Sequence, residues 1–182
     1  RLDDLQCAYA SLQGFLEGHH PENINIYACF DNEEVGSKTK QGAGSTFLYD
    51  VLRRIHHGLG KKEEDYYRAV ANSLMLSADN AHAVHPNHPE KTDYENCVYL
   101  NKGIVIKSHA GQKYTSDALS IALFREICER ALVPIQFFAN RSDSAGGSTL
   151  GNISSEKVSL KSIDIGLAQL AMHSAYETAG VK

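Results

Sequence analysis

The sequence predicts an α/β fold, a three-layer sandwich in which a central mixed, largely parallel sheet is flanked by helices. Two observations carry this. Short apolar runs of strand length alternate with amphipathic runs of helical period, and carboxylates stand at the ends of two apolar runs, where open α/β sheets bind their ligands. At 182 residues the chain is long enough to bury roughly 70 % of its unfolded surface around one core.

The first helix is expected from Leu5, with Leu5, Ala8, Tyr9, Leu12, Phe15 and Leu16 as its apolar face, Asp3 or Asp4 as N-cap and an end near Gly18. Ile24 to Phe30, rich in β-branched and aromatic residues, is expected as a buried strand that stops in the acidic run Asp31-Asn32-Glu33-Glu34. A glycine-bearing loop, Gly36 to Gly44, leads into a helix with Leu48, Val51, Leu52 and Ile55 on one face, closed by Gly58 and Gly60. Lys61 to Arg68 is expected as a solvated helix face.

Ser73 to Ala78 is a second strand, ending in the carboxylate Asp79. Further strands are expected at Gly103 to Lys107, at Pro134 to Ala139 with Pro134 at the tolerated first position, and at Leu160 to Ile165. Ser116 to Ala131 forms a well-buried helix, Met172 to Thr178 a closing one, and Arg141 to Gly151 a polar, glycine-rich loop.

Composition narrows the class. Apolar residues make up 42 % and charged residues 22 %, which argues against disorder, and no apolar run reaches the about 20 residues of a membrane span. A net charge of −4 supplies no basic field for nucleic acid and suits a protein that holds cations. Cys7, Cys29, Cys97 and Cys128 lie far apart in apolar stretches and are expected as buried thiols, which favours a reducing, cytoplasmic setting. The chain opens Arg1-Leu2-Asp3-Asp4 without a starting Met or targeting segment, as a piece of a longer protein would.

Three stretches carry chemistry. Asp31-Asn32-Glu33-Glu34-Val35-Gly36-Ser37 crowds carboxylates onto the end of an apolar strand, where buried like charges need cations or a shared proton. Adjacent Glu residues can divide labour, one binding a metal while the other takes a proton from water; a solvated turn is the competing reading. Ser77 to His88 puts Asp79, His82, His85 and His88 into twelve residues, a density that suits Zn²⁺ or Mn²⁺. The three-residue spacing of the histidines allows a helical face, which Pro86 and Pro89 oppose. His173, after a mostly apolar run, is either a ligand or a structural histidine.

These stretches, with Gly146-Gly147-Ser148-Thr149 and Met172-His173-Ser174, stand in the order of the aspartyl aminopeptidases, a family of dinuclear metallo-aminopeptidases, which the chain resembles over nearly its whole length. Arg1-Leu2-Asp3-Asp4 is similar to the family's Arg-Leu-Asp-Asn, and Val105-Ile106-Lys107 and Gln112-Lys113-Tyr114 fit as well; Ala145 stands where relatives often carry Cys.

The resemblance implies two divalent ions, zinc first with manganese or cobalt as alternatives. Asp3 would bridge them, Glu34 and His173 would complete one site, Asp79 would serve the other, and Glu33 would be the general base for a metal-activated water. It implies hydrolysis of unblocked N-terminal Asp or Glu from peptides, with Lys107 as the cation of the acidic pocket, His82, His85 and Tyr114 beside it, and Gly147 in a loop close to substrate.

The family's upstream His-x-Asp segment and its inserted assembly domain have no counterpart here. Residues 1–182 are therefore expected to be the C-terminal part of a catalytic domain, weakly active or inactive alone, in an enzyme that self-associates. A related metallopeptidase or deacylase of other specificity, and a non-catalytic assembly module that keeps the fold, are the competing functions.

Overall fold

A computed structural model describes residues 1–181. In chain order it has helix α1 (Leu2–Glu17), α2 (Phe47–Gly58), α3 (Glu63–Asn72), strands β1 (Leu74–Ala78), β2 (Ala81–His82) and β3 (Ile104–Ser108), α4 (Ala118–Arg130), β4 (Ile135–Ala139), α5 (Leu150–Ser155), β5 (Lys161–Gly166), β6 (Ala168–Leu170) and β7 (Thr178–Ala179). The main sheet has the order β1-β5-β3-β4; β1 and β4 run parallel to β5 and β3 respectively, and β3 meets β5 antiparallel. It is thus the mixed, largely parallel sheet expected. A smaller sheet, β2-β6-β7, stands beside it.

Residue alternation divides the core between the faces of the main sheet. On one face Ile106, Ile163 and Ile165 pack against Phe124 and Cys128 of α4. The four-residue spacing of Ser120, Phe124 and Cys128 gives that helix its buried stripe, and Asp117 caps it by accepting from Ser120 N at 2.7 Å. On the other face Val105 and Phe138 join Ala81, Ala83, Val98, Tyr114 and Ala168. There α5 crosses β1 and β5 so closely that a Cβ on Gly151 would come within 3 Å of Ser77 and Asp164. Helices therefore cover both faces.

Several expectations fail for identifiable reasons. Ile24 to Phe30 is extended but makes no ladder among the described residues, and Ile24 and Ile26 are 64 % and 45 % exposed. Composition favours a strand there, but a strand also needs a neighbour to take its N–H and C=O groups. The apolar face assigned to α1 is largely exposed too: Leu5, Tyr9 and Leu16 face solvent while Cys7 is buried.

Asp3 and Asp4 do not cap α1. Both have non-helical φ/ψ, the bond between them is cis, and no side-chain cap forms. The helix expected at Met172 to Thr178 does not form: residues 172–176 are turns and Thr178 opens β7, because Ala171 and His173 take left-handed conformations (φ 56° and 66°) that end helical winding. Part of the expected 141–151 loop is instead the start of α5. The histidines at 82, 85 and 88 share no helix: His82 ends β2, and His85 to His88 form a turn closed by His88 N donating to His85 O at 3.0 Å. Cys7 and Cys128 are buried, whereas Cys29 is exposed and Cys97 half-buried; all four are free.

Candidate metal centre

β1 delivers Asp79 to the carboxyl end of the main sheet, where its N–H donates to Ile165 O at 2.9 Å. Neighbouring β5 ends there in Gly166, whose absent side chain makes room: a Cβ would lie 1.8 Å from Asp79 O. Gly166→Ala must therefore push the Asp79 backbone outward. We expect a loss of about 2–3 kcal/mol and a fall in Tm of roughly 5–10 °C, measured by thermal unfolding; an unchanged Tm would show that this contact does not hold Asp79.

Three other segments converge on the same end. The unpaired extended segment enters a 3-10 turn, Glu33–Val35, framed by left-handed Asn32 and Gly36 and closed by Gly36 N to Glu33 O and Ser37 N to Asn32 O, both 2.9 Å. This turn carries Glu33 and Glu34. The start of α1 carries Asp3 and Asp4, and the turns after β6 carry His173.

Two donor groups result, and Asp3 belongs to both. Asp3, Glu34 and His173 offer ligand atoms all within 4.8 Å of one another, as do Asp3, Asp4 and Asp79. His173 Nε2 lies 3.0 Å from Asp3 Oδ2 and 2.9 Å from Glu34 Oε1. Asp3 Oδ1 and Asp4 Oδ1 are buried without a hydrogen-bond partner. A metal-free protein tolerates this poorly. Burial, then repulsion from Asp79, raises the Asp3 pKa from 3.8 to about 6, and burial raises that of Asp4 to about 7. Burial works to lower the His173 pKa, but the charges of Glu34 and Asp3 outweigh it and the net shift is upward.

Orphaned carboxylate oxygens beside an imidazole, with pKa values lifted by crowding, are the surroundings a divalent cation relieves. Oxygen and nitrogen donors of this kind fit zinc or manganese.

Glu33 stands beside the two groups without belonging to either. Its pKa is raised, first by burial and then by Asp79, Glu34 and Asp3. Lys107 is 2 % exposed, and its Nζ donates to Asp79 Oδ2 at 2.8 Å while lying 5.5 Å from the centre of the Tyr114 ring. Tyr114 is buried against Phe138 and so backs the ammonium. His82 is accessible at the end of β2, with a pKa lowered by desolvation and by the Lys107 charge.

His85 is not brought into either donor group; its ring packs on His88 at 5.3 Å. Gly147 is exposed with open space where a Cβ would stand, whereas a Cβ on its neighbour Gly146 would lie 2.2 Å from Asn140 Nδ2 and push that amide aside.

Sequence reasoning missed Asp4 as a donor; two adjacent aspartates before an amphipathic run were the available signal. It also missed Asp164, fully buried, which accepts from Thr149 Oγ1 at 2.7 Å and from Thr115 N and Oγ1 at 2.5 and 2.9 Å, tying two loops to β5. No pattern in the sequence marked it.

The family described as aminopeptidase I zinc metalloprotease (M18) matches residues 1–182. A probable M18 family aminopeptidase 2 of Clostridium novyi is 51 % identical over 181 residues, covering 100 % of this chain and 42 % of the relative. The crystal structure of an M18-family aminopeptidase from Thermotoga maritima superposes with a TM-score of 0.87 at 30 % identity, over 98 % of this chain and 41 % of that one. The S. cerevisiae mApe1 dodecamer gives 0.80 at 30 % identity, over 97 % and 40 %. The chain thus spans about two fifths of the length of the curated relatives it matches.

Proposed function

The chain belongs to the aminopeptidase I zinc metalloprotease (M18) family, and from that premise we propose that it is part of a metal-dependent aminopeptidase that releases unblocked Asp or Glu from peptide N-termini. The observation that carries the reading is the pair of donor groups sharing Asp3. Asp3, Glu34 and His173 would hold one divalent cation; Asp3 and Asp79 would hold the other, joined by Asp4 or by a ligand from the rest of the protein. When bound, two such cations supply Lewis-acid polarisation of the scissile carbonyl and lower the pKa of a water.

The chain's own residues do the rest. Glu33 accepts the proton of the attacking water on its carboxylate and returns it to the leaving amine, a task for which a raised carboxyl pKa is suited. Lys107, held between Asp79 and Tyr114, gives the site a fixed positive charge to which an acidic first side chain can pair. The full-length protein would contain these residues as the C-terminal part of its catalytic domain and assemble as a homo-oligomer, as the related yeast dodecamer does. Four free cysteines support a cytoplasmic location.

The test uses the full-length protein and peptides differing only in the first residue. Release of Asp and Glu should exceed release of Leu at least ~10-fold, disappear on chelation, and return with zinc, manganese or cobalt. Activity that survives chelation rejects the metal reading, and equal release of Leu points to a metallopeptidase of other specificity. Lys107→Met, which keeps the apolar stem, should lower kcat/KM for the acidic peptide relative to the neutral one by ~30-fold, about 2 kcal/mol for one lost charge pairing. An unchanged ratio removes Lys107 from the pocket.

A further inference from the structure

Leu2, the residue before the shared ligand Asp3, is gripped on both sides of its backbone by buried polar side chains that touch no donor atom of the centre. Its N–H donates to Glu177 Oε2 at 2.7 Å, and the other oxygen of that carboxylate accepts from His173 N at 2.8 Å. Its C=O accepts from Asn80 Nδ2 at 3.1 Å, and Asn80 is the residue after Asp79. Glu177, 175 residues from Leu2 in sequence, thus ties the Leu2 backbone to that of His173, and Asn80, 78 residues from Leu2, ties it to the residue that follows Asp79.

Building on the metal-centre reading, we propose that Glu177 and Asn80 are the positioning residues that set Asp3 between the two cation sites. Both are held firmly enough for the task. The Glu177 side chain is 4 % exposed, and its Oε2 also meets the amino group of Arg1 at 2.7 Å. Asn80 is 2 % exposed; its amide also donates to Gln169 Oε1 at 2.8 Å, and its carbonyl accepts from the Cys7 thiol at 3.1 Å.

The location of this polarity argues for geometry over bulk stability. A buried carboxylate and a buried amide are costly unless fully bonded, and apolar residues of the same size would fill the space without that cost. A carboxylate accepting two backbone N–H groups, in contrast, ties the start of α1 to the turn that carries His173 through two charge-assisted hydrogen bonds. The turn it braces is strained, since His173 sits at φ 66°, a conformation that persists only where surrounding bonds over-determine it. Outer partners of this kind, which orient metal ligands without binding metal, typically change metal affinity 10–100-fold when lost.

The experiment compares the full-length protein with its Glu177→Gln and Asn80→Leu variants. Gln has the size of Glu but turns an NH₂ toward one of the two N–H donors, and Leu removes all three bonds of the Asn80 amide while filling its space. Zinc affinity is measured by competition with a chromophoric chelator, and Tm is measured on the metal-free proteins. Each variant should bind zinc roughly 10–100-fold more weakly, with metal-free Tm within a few degrees of the parent and kcat recovering as zinc is raised.

Unchanged zinc affinity in both variants overturns the proposal. So does a collapse of metal-free Tm in both, because the residues would then hold the fold and not the ligands. A parent protein that binds no divalent cation rejects the metal-centre reading itself, an outcome seen before any variant is made.

Discussion

Glu33→Gln is expected to lower kcat/KM for a peptide with an acidic first residue by roughly 10²–10⁴-fold while leaving the cation content unchanged. The two halves of that expectation have separate grounds. Content is spared because Glu33 lies outside both donor groups, so neither loses a ligand. The rate falls because Gln keeps the length and a hydrogen-bonding oxygen but cannot accept a proton.

The role of Glu33 also gives a sign for the pH dependence. The base works when ionised, so kcat/KM of the parent falls as pH drops and Glu33 takes up a proton, and this acid limb vanishes in the variant. Metal analysis alongside steady-state rates checks both halves. Retention of the parental rate to within about threefold would remove Glu33 as the base, and loss of cations together with rate would make it a ligand.

How much of this was legible in the sequence depended on whether the deciding interactions are local. β1, β3, β4, β5, α2 and α4 follow from period and capping, which neighbouring residues set: the Ser120, Phe124 and Cys128 stripe and the Asp117 cap of α4 lie within twelve residues. Ile24 to Phe30 has strand composition but takes no ladder partner among the described residues. The bare face of α1 lies beside this segment, with Tyr27 Oη donating to Ala8 O at 3.0 Å.

The closing helix failed because Glu177 and His173 also answer to Leu2 and Asp3 at the other end of the chain, and Ala171 and His173 take left-handed backbone. In the site, Glu33, Glu34 and Asp79 stood out as carboxylates ending apolar runs. Asp3 and His173 had no local signal beyond their type, and only the ordered resemblance singled them out. Asp4 and Asn80, adjacent to named ligands, became visible once the ends of α1 and β1 met.

Asp3→Asn should move activity and metal-free stability in opposite directions. Activity should fall on the order of 10³-fold or more, because one substitution weakens both donor groups. Stability follows from the pKa. The folded-state value, about 6, lies above the ordinary 3.8 because Asp3 is buried beside Asp79, so the folded metal-free protein holds this proton more tightly than the unfolded chain does. Metal-free stability therefore declines as pH rises from about 4 to about 6, and the full penalty is present at pH 7.

Asn removes the charge and hence that penalty. Discounted for solvent screening in a partly open site, the gain is about 1 kcal/mol, or a Tm higher by ~2–4 °C, at pH 7 and close to nothing at pH 3. Zinc should reverse the order, stabilising the parent by mass action far more than the variant. Calorimetry of both proteins, with and without zinc at the two pH values, reads all four quantities. A metal-free variant no more stable than the parent at pH 7, or equally improved at pH 3, would mean that the acidic cluster is already relieved without a cation.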